Sequence, residues 1–326
     1  MRRREFVAGI GAAVALPAAF AQRPESPRRI GFLLGLSEGD PEAHARVEAF
    51  RAGLAAAGWT DPGNVRIDYR FTGGDFDRIG AYVTELMALG PDVIVAHSTP
   101  IVAALKAATS TIPIVFVAVN DPVGQGFVAS LAHPGGNITG FSFVDFEMIG
   151  KCLGLLKEVA PGITSASLLF DPDLAPYFQI YVRELQANRA SLPVDILAAP
   201  VRGAAEVEQA VSRLGTGGSL IVAPDPFTVV NRDAIMMSVA RHGLPAIFTL
   251  RQDAVEGALM SYGPDAADMF KRSAVYVDRI LKGAKTVELP VQAPIKFTLV
   301  INLKTAKTMG ISVSPSLLAR ADEVIE

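Results

Sequence analysis

The pentapeptide Gly140-Phe141-Ser142-Phe143-Val144 comes within one residue of a nucleophile elbow, the turn that lifts a serine out of a strand between two glycines. Val144 stands where the second glycine belongs, so Ser142 reads instead as part of a connection between two lobes. Other reaction signatures break in the same way. Gly150-Lys151 resembles the end of a phosphate-binding loop, but Cys152 replaces its Ser or Thr and Asp145 its leading glycine. Gly9-x-Gly11 falls inside the apolar amino-terminal segment, which voids a dinucleotide reading. No His-Glu-x-x-His occurs, and the four histidines (His44, His97, His133, His242) are scattered. The one cysteine, Cys152, excludes an intrachain disulfide and a cysteine-based zinc cluster, and its apolar helical surroundings point to a buried, inert thiol. No catalytic set can be assembled from these residues, and neither a cofactor nor a metal is expected.

A second group of polar residues stands where apolar runs finish. Ser37 follows the first run, His97-Ser98-Thr99-Pro100 the third, and Asn120-Asp121-Pro122 the fourth. Later, Phe170 is followed by Asp171-Pro172-Asp173 with Tyr177 one turn into the next helix, and Ala223 by Pro224-Asp225-Pro226. A helix amino terminus presents free N–H groups, and a neighbouring hydroxyl adds a donor, which suits a carboxylate. Ser98 and Thr99 therefore either bind an anionic group or simply cap their helix. Asp171 and Asp225 either meet an ammonium or make Asx-turns before proline. Asn120, with Asp121 beside it, offers polar contact or forms a turn, as Ser37 does from the first strand end, while the His97 ring supports its loop. Phe143, Tyr177 and Tyr262 are candidates to pack on an apolar ligand body, with filling of the hinge core as the alternative for Tyr262.

These residues need elements to hold them. The chain has 326 residues, half of them apolar and 19% charged, enough for two lobes of ordinary domain size. Strand-length apolar runs at 30–34, 65–69, 93–96, 114–119, 167–170, 194–197, 220–223, 246–249 and 299–301 alternate with helical periodicity at about 41–58, 77–90, 100–109, 147–160, 176–190, 204–214, 228–241 and 265–282. Asp40-Pro41-Glu42 reads as a helix entry. Continuous apolar strands separated by helices predict an α/β protein of two Rossmann-like lobes with parallel sheets and a ligand cleft between them. The expected division is residues 28–140 plus about 258–296 in lobe 1, and residues 141–257 plus about 297–326 in lobe 2. Closure is expected about crossovers near 138–144 and 256–263, where Gly140, Gly257 and Gly263 can absorb dihedral change.

Residues 1–21 read as an export signal. Arg2-Arg3-Arg4 precedes a short apolar core, and Ala19-Phe20-Ala21 forms a small-x-small site that places cleavage after Ala21. Arg3-Arg4-x-Phe6 resembles the twin-arginine (Tat) signal, with Arg2 where that pattern has Ser or Thr, so Sec is the other route. A periplasmic location follows. The formal net charge of −3 gives no basic surface for nucleic acid, so no nucleic-acid partner is expected.

Longer stretches carry a family resemblance. Arg29-Ile30-Gly31-Phe32-Leu33, Gly58-Trp59, Asn64-Val65-Arg66-Ile67-Asp68-Tyr69-Arg70, Ile112-Pro113-Ile114-Val115-Phe116 and Asp121-Pro122-Val123-Gly124 are the first matching pieces. The most specific is Leu131-Ala132-His133-Pro134-Gly135-Gly136-Asn137-Ile138-Thr139-Gly140, and the ending Val300-Ile301-Asn302-Leu303-Lys304-Thr305-Ala306-Lys307 completes them. From about residue 28 to 326 the sequence resembles the ABC transporter substrate-binding proteins related to tryptophan- and tyrosine-type binding proteins. The resemblance implies a type I periplasmic-binding fold of the Venus flytrap kind and a small-molecule ligand. It also implies delivery to an ABC permease in the inner membrane with its cytoplasmic ATPase. Within that family aromatic and other hydrophobic amino acids are ligands, so an amino acid or related organic acid is the expected solute. An extracytoplasmic sensing module for a membrane receptor and an exported enzyme using the same cleft are the competing readings.

Overall fold

The computed structural model describes residues 27–326 apart from Asp145, so the export signal over 1–21 lies outside the described residues. The first sheet contains β1 (Arg28–Leu34), β2 (Val65–Phe71), β3 (Val93–His97), β4 (Ile114–Val119) and β5 (Ile138–Ser142). Its order is β2-β1-β3-β4-β5 and every pairing is parallel. Between the first four strands run α1 (Pro41–Ala56), α2 (Asp77–Ala88) and α3 (Thr99–Ala108). Helices on both faces bury residues 93–96 and 114–117 of the central strands completely, which is why these runs read as unbroken apolar text. At the entry of α1 the Asp40 carboxylate accepts the Glu42 N–H at 2.8 Å, as the Asp-Pro-Glu spelling predicts.

The second lobe follows as α4 (Phe146–Val159), β6 (Ser165–Phe170), α5 (Tyr177–Ala187), β7 (Asp195–Pro200), α6 (Ala204–Ser212), β8 (Leu220–Val222), α7 (Pro226–Val230), α8 (Arg232–Arg241), β9 (Ala246–Phe248), α9 (Arg251–Val255) and β10 (Met260–Pro264). The chain then crosses back, and α10 (Ala266–Leu281) packs along α1 and touches β3, β4 and β5. It returns as β11 (Phe297–Asn302), α11 (Leu303–Thr308), α12 (Pro315–Leu318) and β12 (Glu323–Ile325). The second sheet has the order β12-β11-β10-β9-β8-β6-β7. Its one antiparallel pairing, β10 with β11, arises because the excursion through the first lobe turns the chain round before it rejoins the sheet.

The return crossing therefore falls at Asp265, after β10, rather than near 258. Two crossings are bonded to one another there: the Asp265 N–H donates to the Lys296 carbonyl at 2.9 Å, and the two side chains form an ion pair at 2.7 Å. Gly140 and Gly263 lie inside β5 and β10 instead of at the crossings, and their bare Cα atoms admit a neighbouring strand. A Cβ would stand 2.1 Å from the Phe116 carbonyl oxygen at Gly140 and 1.9 Å from that of Thr249 at Gly263. Close packing, not hinge freedom, requires glycine at both. Gly53 does the same for helices, since a Cβ on it would meet the Lys271 carbonyl of α10 at 2.5 Å.

Candidate functional site

The carboxyl ends of β1, β3 and β4 face those of β8 and β9 across a cavity. Gly35, Leu36, Arg46, Thr72, His97, Ser98, Thr99, Ala118 and Asn120 form the first-lobe wall. Tyr177, Pro224, Pro226, Val229, Val230 and Leu250 form the opposite wall, with Phe143 at the crossover.

Ser98 occupies the N-cap position of α3, yet its hydroxyl makes no capping bond. Its φ of 78° and ψ of 155° lie in a region that suits glycine. Ala118, at φ 59°, sits on the adjoining strand end, where β4 slips register between Val117 and Val119. Such strain persists only where the surrounding structure holds it, and here it turns two strand ends toward the cavity.

Arg46 reaches the cavity from α1. It is 3% exposed, because it lies on the buried stripe that also carries Ala43 and Phe50. Its Nη1 stands 3.1 Å from His97 Nε2, and its Nη2 stands 3.5 Å from a Glu42 carboxylate oxygen. The other His97 nitrogen, Nδ1, accepts the Gly35 N–H at 3.2 Å. Burial, reinforced by the Arg46 charge, holds the His97 pKa well below its ordinary range, so the ring is neutral. A neutral imidazole accepts at one nitrogen only, and two donors face this one.

Asn120 makes a cross-lobe contact. Its Nδ2 donates to the Tyr177 hydroxyl at 3.1 Å and lies 3.5 Å from the Pro224 carbonyl, while its Oδ1 accepts the Val144 N–H at 2.9 Å. One buried amide thus joins the first lobe, the second lobe and the first crossover. Burial drives the Tyr177 phenol pKa upward, which keeps its proton on oxygen at any physiological pH.

Of the residues singled out by sequence, Ser98, Thr99, Asn120, Phe143 and Tyr177 come together around the cavity, and the other five lie away from its wall. Asp225 is buried behind Pro224 and Pro226, where Oδ1 accepts the Thr228 N–H at 2.8 Å and Oδ2 the Asp171 N–H at 2.9 Å. Burial, opposed by those two N–H bonds, lifts its pKa to about 6. Asp171 Oδ1 accepts the N–H groups of Asp173 and Leu174. Asp121 closes its own turn by accepting from the Gly124 N–H. Ser37 is exposed, and the Tyr262 ring stacks on Phe297 at 5.6 Å. Arg46 is the residue that sequence reading misses. Its signal is an arginine on the apolar stripe of α1, where a charge is costly to bury.

Residues 38–325 match the family described as ABC transporter substrate binding protein. The chain belongs to that family. A curated relative, the tyrosine-binding protein of Clostridioides difficile (strain R20291), is 27% identical over 270 residues, covering 82% of this chain and 77% of the relative. A solved ABC domain in complex with L-Trp from Streptococcus pneumonia superposes with a TM-score of 0.81 at 27% identity, covering 92% of this chain and all of that one. A conserved domain protein from Vibrio cholerae superposes at 0.82 with 26% identity over the same shares. This ABC substrate-binding protein has the type I periplasmic-binding fold. Membership brings with it an ABC permease and ATPase system and work outside the cytoplasm. Among the described residues no helix is long and apolar enough to cross a membrane.

Proposed function

We propose that this protein is the solute-binding component of an ABC importer and closes its lobes on a small carboxylate-bearing solute, an amino acid or related organic acid. The observation that carries this reading is Ser98, a strained N-cap residue of the cavity wall whose hydroxyl makes no capping bond. That hydroxyl and the first N–H groups of α3 favour a carboxylate, while the apolar walls take the rest of the solute. The relatives named for tyrosine and solved with L-Trp support a ligand of this size and class. The protein performs no chemistry. Contacts made only when the lobes are together shift its population to the closed form, which the inner-membrane permease receives. The Asn120–Tyr177 bond is one that opening would break.

A calorimetric screen of amino acids, organic acids and neutral sugars is expected to give binding in the first two groups, with scattering profiles that compact at saturation. Ser98→Gly is expected to weaken the best ligand about tenfold, the worth of one hydrogen bond to a charged group. Its melting temperature should not fall, since glycine suits that backbone conformation. Binding confined to neutral sugars would sink the carboxylate reading. Export through the Tat or Sec route, with cleavage after Ala21, delivers the mature chain to the periplasm. Amino-terminal sequencing of the periplasmic protein should start at Gln22, and any other start relocates the cleavage site.

A further inference from the structure

Arg46 is the one residue of the cavity wall, among the described residues, that carries a charge at neutral pH; no Asp or Glu stands in that wall. The guanidinium is buried, its Nε has no hydrogen-bond partner among the described residues, and its two terminal nitrogens make one bond to His97 and one ion pair, at 3.5 Å, with Glu42. An arginine has five N–H donors in a planar fork that matches the two oxygens of a carboxylate. His97 cannot satisfy both Arg46 and Gly35 at once, which leaves further donor capacity in this cluster. Ser98 belongs to the same cluster, since a Cβ on Gly35 would touch both His97 Nδ1 at 3.1 Å and Ser98 Oγ at 3.5 Å. The half-buried amino end of α3 and an under-used buried cation therefore converge on one corner.

The opposite charge is missing. An ammonium group taken out of water needs a carboxylate or several good acceptors. Both oxygens of Asp225 are bonded to backbone N–H groups, and Asp171 closes its own turn; neither faces the cavity. The other polar side chains of the wall are already engaged, Thr72 with the Gly35 carbonyl and Asn120 with the Tyr177 hydroxyl and the Val144 N–H, and the rest is apolar, with Leu36, Phe76, Ile101, Phe143, Val229 and Leu250 among its members. Resting on the reading of this cavity as the solute site, we infer that the preferred solute is a monocarboxylate with an apolar body and no amino group, its carboxylate held by Arg46 with Ser98 and Thr99.

The test compares acids with the amino acids of the same skeleton on the mature protein: 3-phenylpropionate against L-phenylalanine, indole-3-propionate against L-tryptophan, 4-methylpentanoate against L-leucine. In the best-binding pair the acid should bind at least about tenfold more tightly, and 3-phenylpropanamide, which lacks the charge, should bind more weakly than 3-phenylpropionate. Arg46→Gln is expected to remove at least about tenfold of the acid's affinity, and Arg46→Lys, which keeps the charge without the fork, should lose less. Amino acids that bind as well as or better than their acids overturn this inference and leave the solute-binding reading standing. Silence from both series, or binding of neutral sugars alone, overturns both. Because the wild-type comparison uses no variant, a misfolded Arg46 substitution does not decide the outcome.

Discussion

Gly140→Ala is expected to destabilise the protein by about 3–5 kcal/mol, combining overpacking with backbone strain. Gly140 pairs with Phe116 across β5 and β4, at φ 154°, and an added methyl would lie 2.1 Å from the Phe116 carbonyl oxygen and 2.7 Å from its nitrogen and ring. Backbone fills that space on one side and a buried ring on the other, so no flexible side chain can move aside. The strands must part, and the register that presents Ala118 and Asn120 to the cavity goes with them. For a chain of this size the loss corresponds to a fall in melting temperature on the order of 10 °C. Thermal melts of the mature protein read it, and a shift within about 2 °C would show that β5 yields more easily than its contacts indicate.

Phe270→Ala is expected to cost about 3–5 kcal/mol and to weaken solute binding as well. Phe270 is fully buried on α10, with its ring centre 5.8 Å from that of Phe32 and 5.9 Å from that of His97. The helix comes from the carboxyl-terminal part of the chain but completes the first-lobe core, so truncation leaves a hole beneath β1 and β3. His97 rests on that ring and in turn holds Gly35 and faces Arg46, so the cavity corner loosens along with the core. Urea unfolding followed with calorimetry measures both effects. A stability loss with unchanged solute affinity would separate the core from the site; unchanged stability would mean that α10 is not part of the first-lobe core.

The alternation of strands and helices is legible in the sequence because each element carries its own local signal. Asp40-Pro41-Glu42 starts α1 wherever that helix is placed, and the apolar runs of β3 and β4 announce burial on both faces. β5 is less legible: Thr139, Gly140 and Ser142 interrupt its apolar text, and its outer edge is completed by Gln292, far along the chain, which bonds to the backbone of Gly140 and Ser142. The same holds for β12, three residues long and fixed by pairing with β11.

The site divides in the same way. That Ser98 and Thr99 open a helix at a strand end, and that Asn120 ends the next strand, follows from the order of residues alone. Which polar groups reach the cavity is decided by partners distant in sequence. Asp225 turns from the cavity because the Asp171 N–H, 54 residues earlier, lies within hydrogen-bond distance once β6 and β8 pair. Arg46 enters the wall because α1 is held along α10, with Gly53 letting the two helices close. Sequence determines the elements and their polar ends through propensity, capping and periodicity, which act over a few residues. The charge that a solute meets is a sum over side chains from both lobes, and only the packing of those lobes brings them within the few ångströms at which charge and hydrogen bonds act.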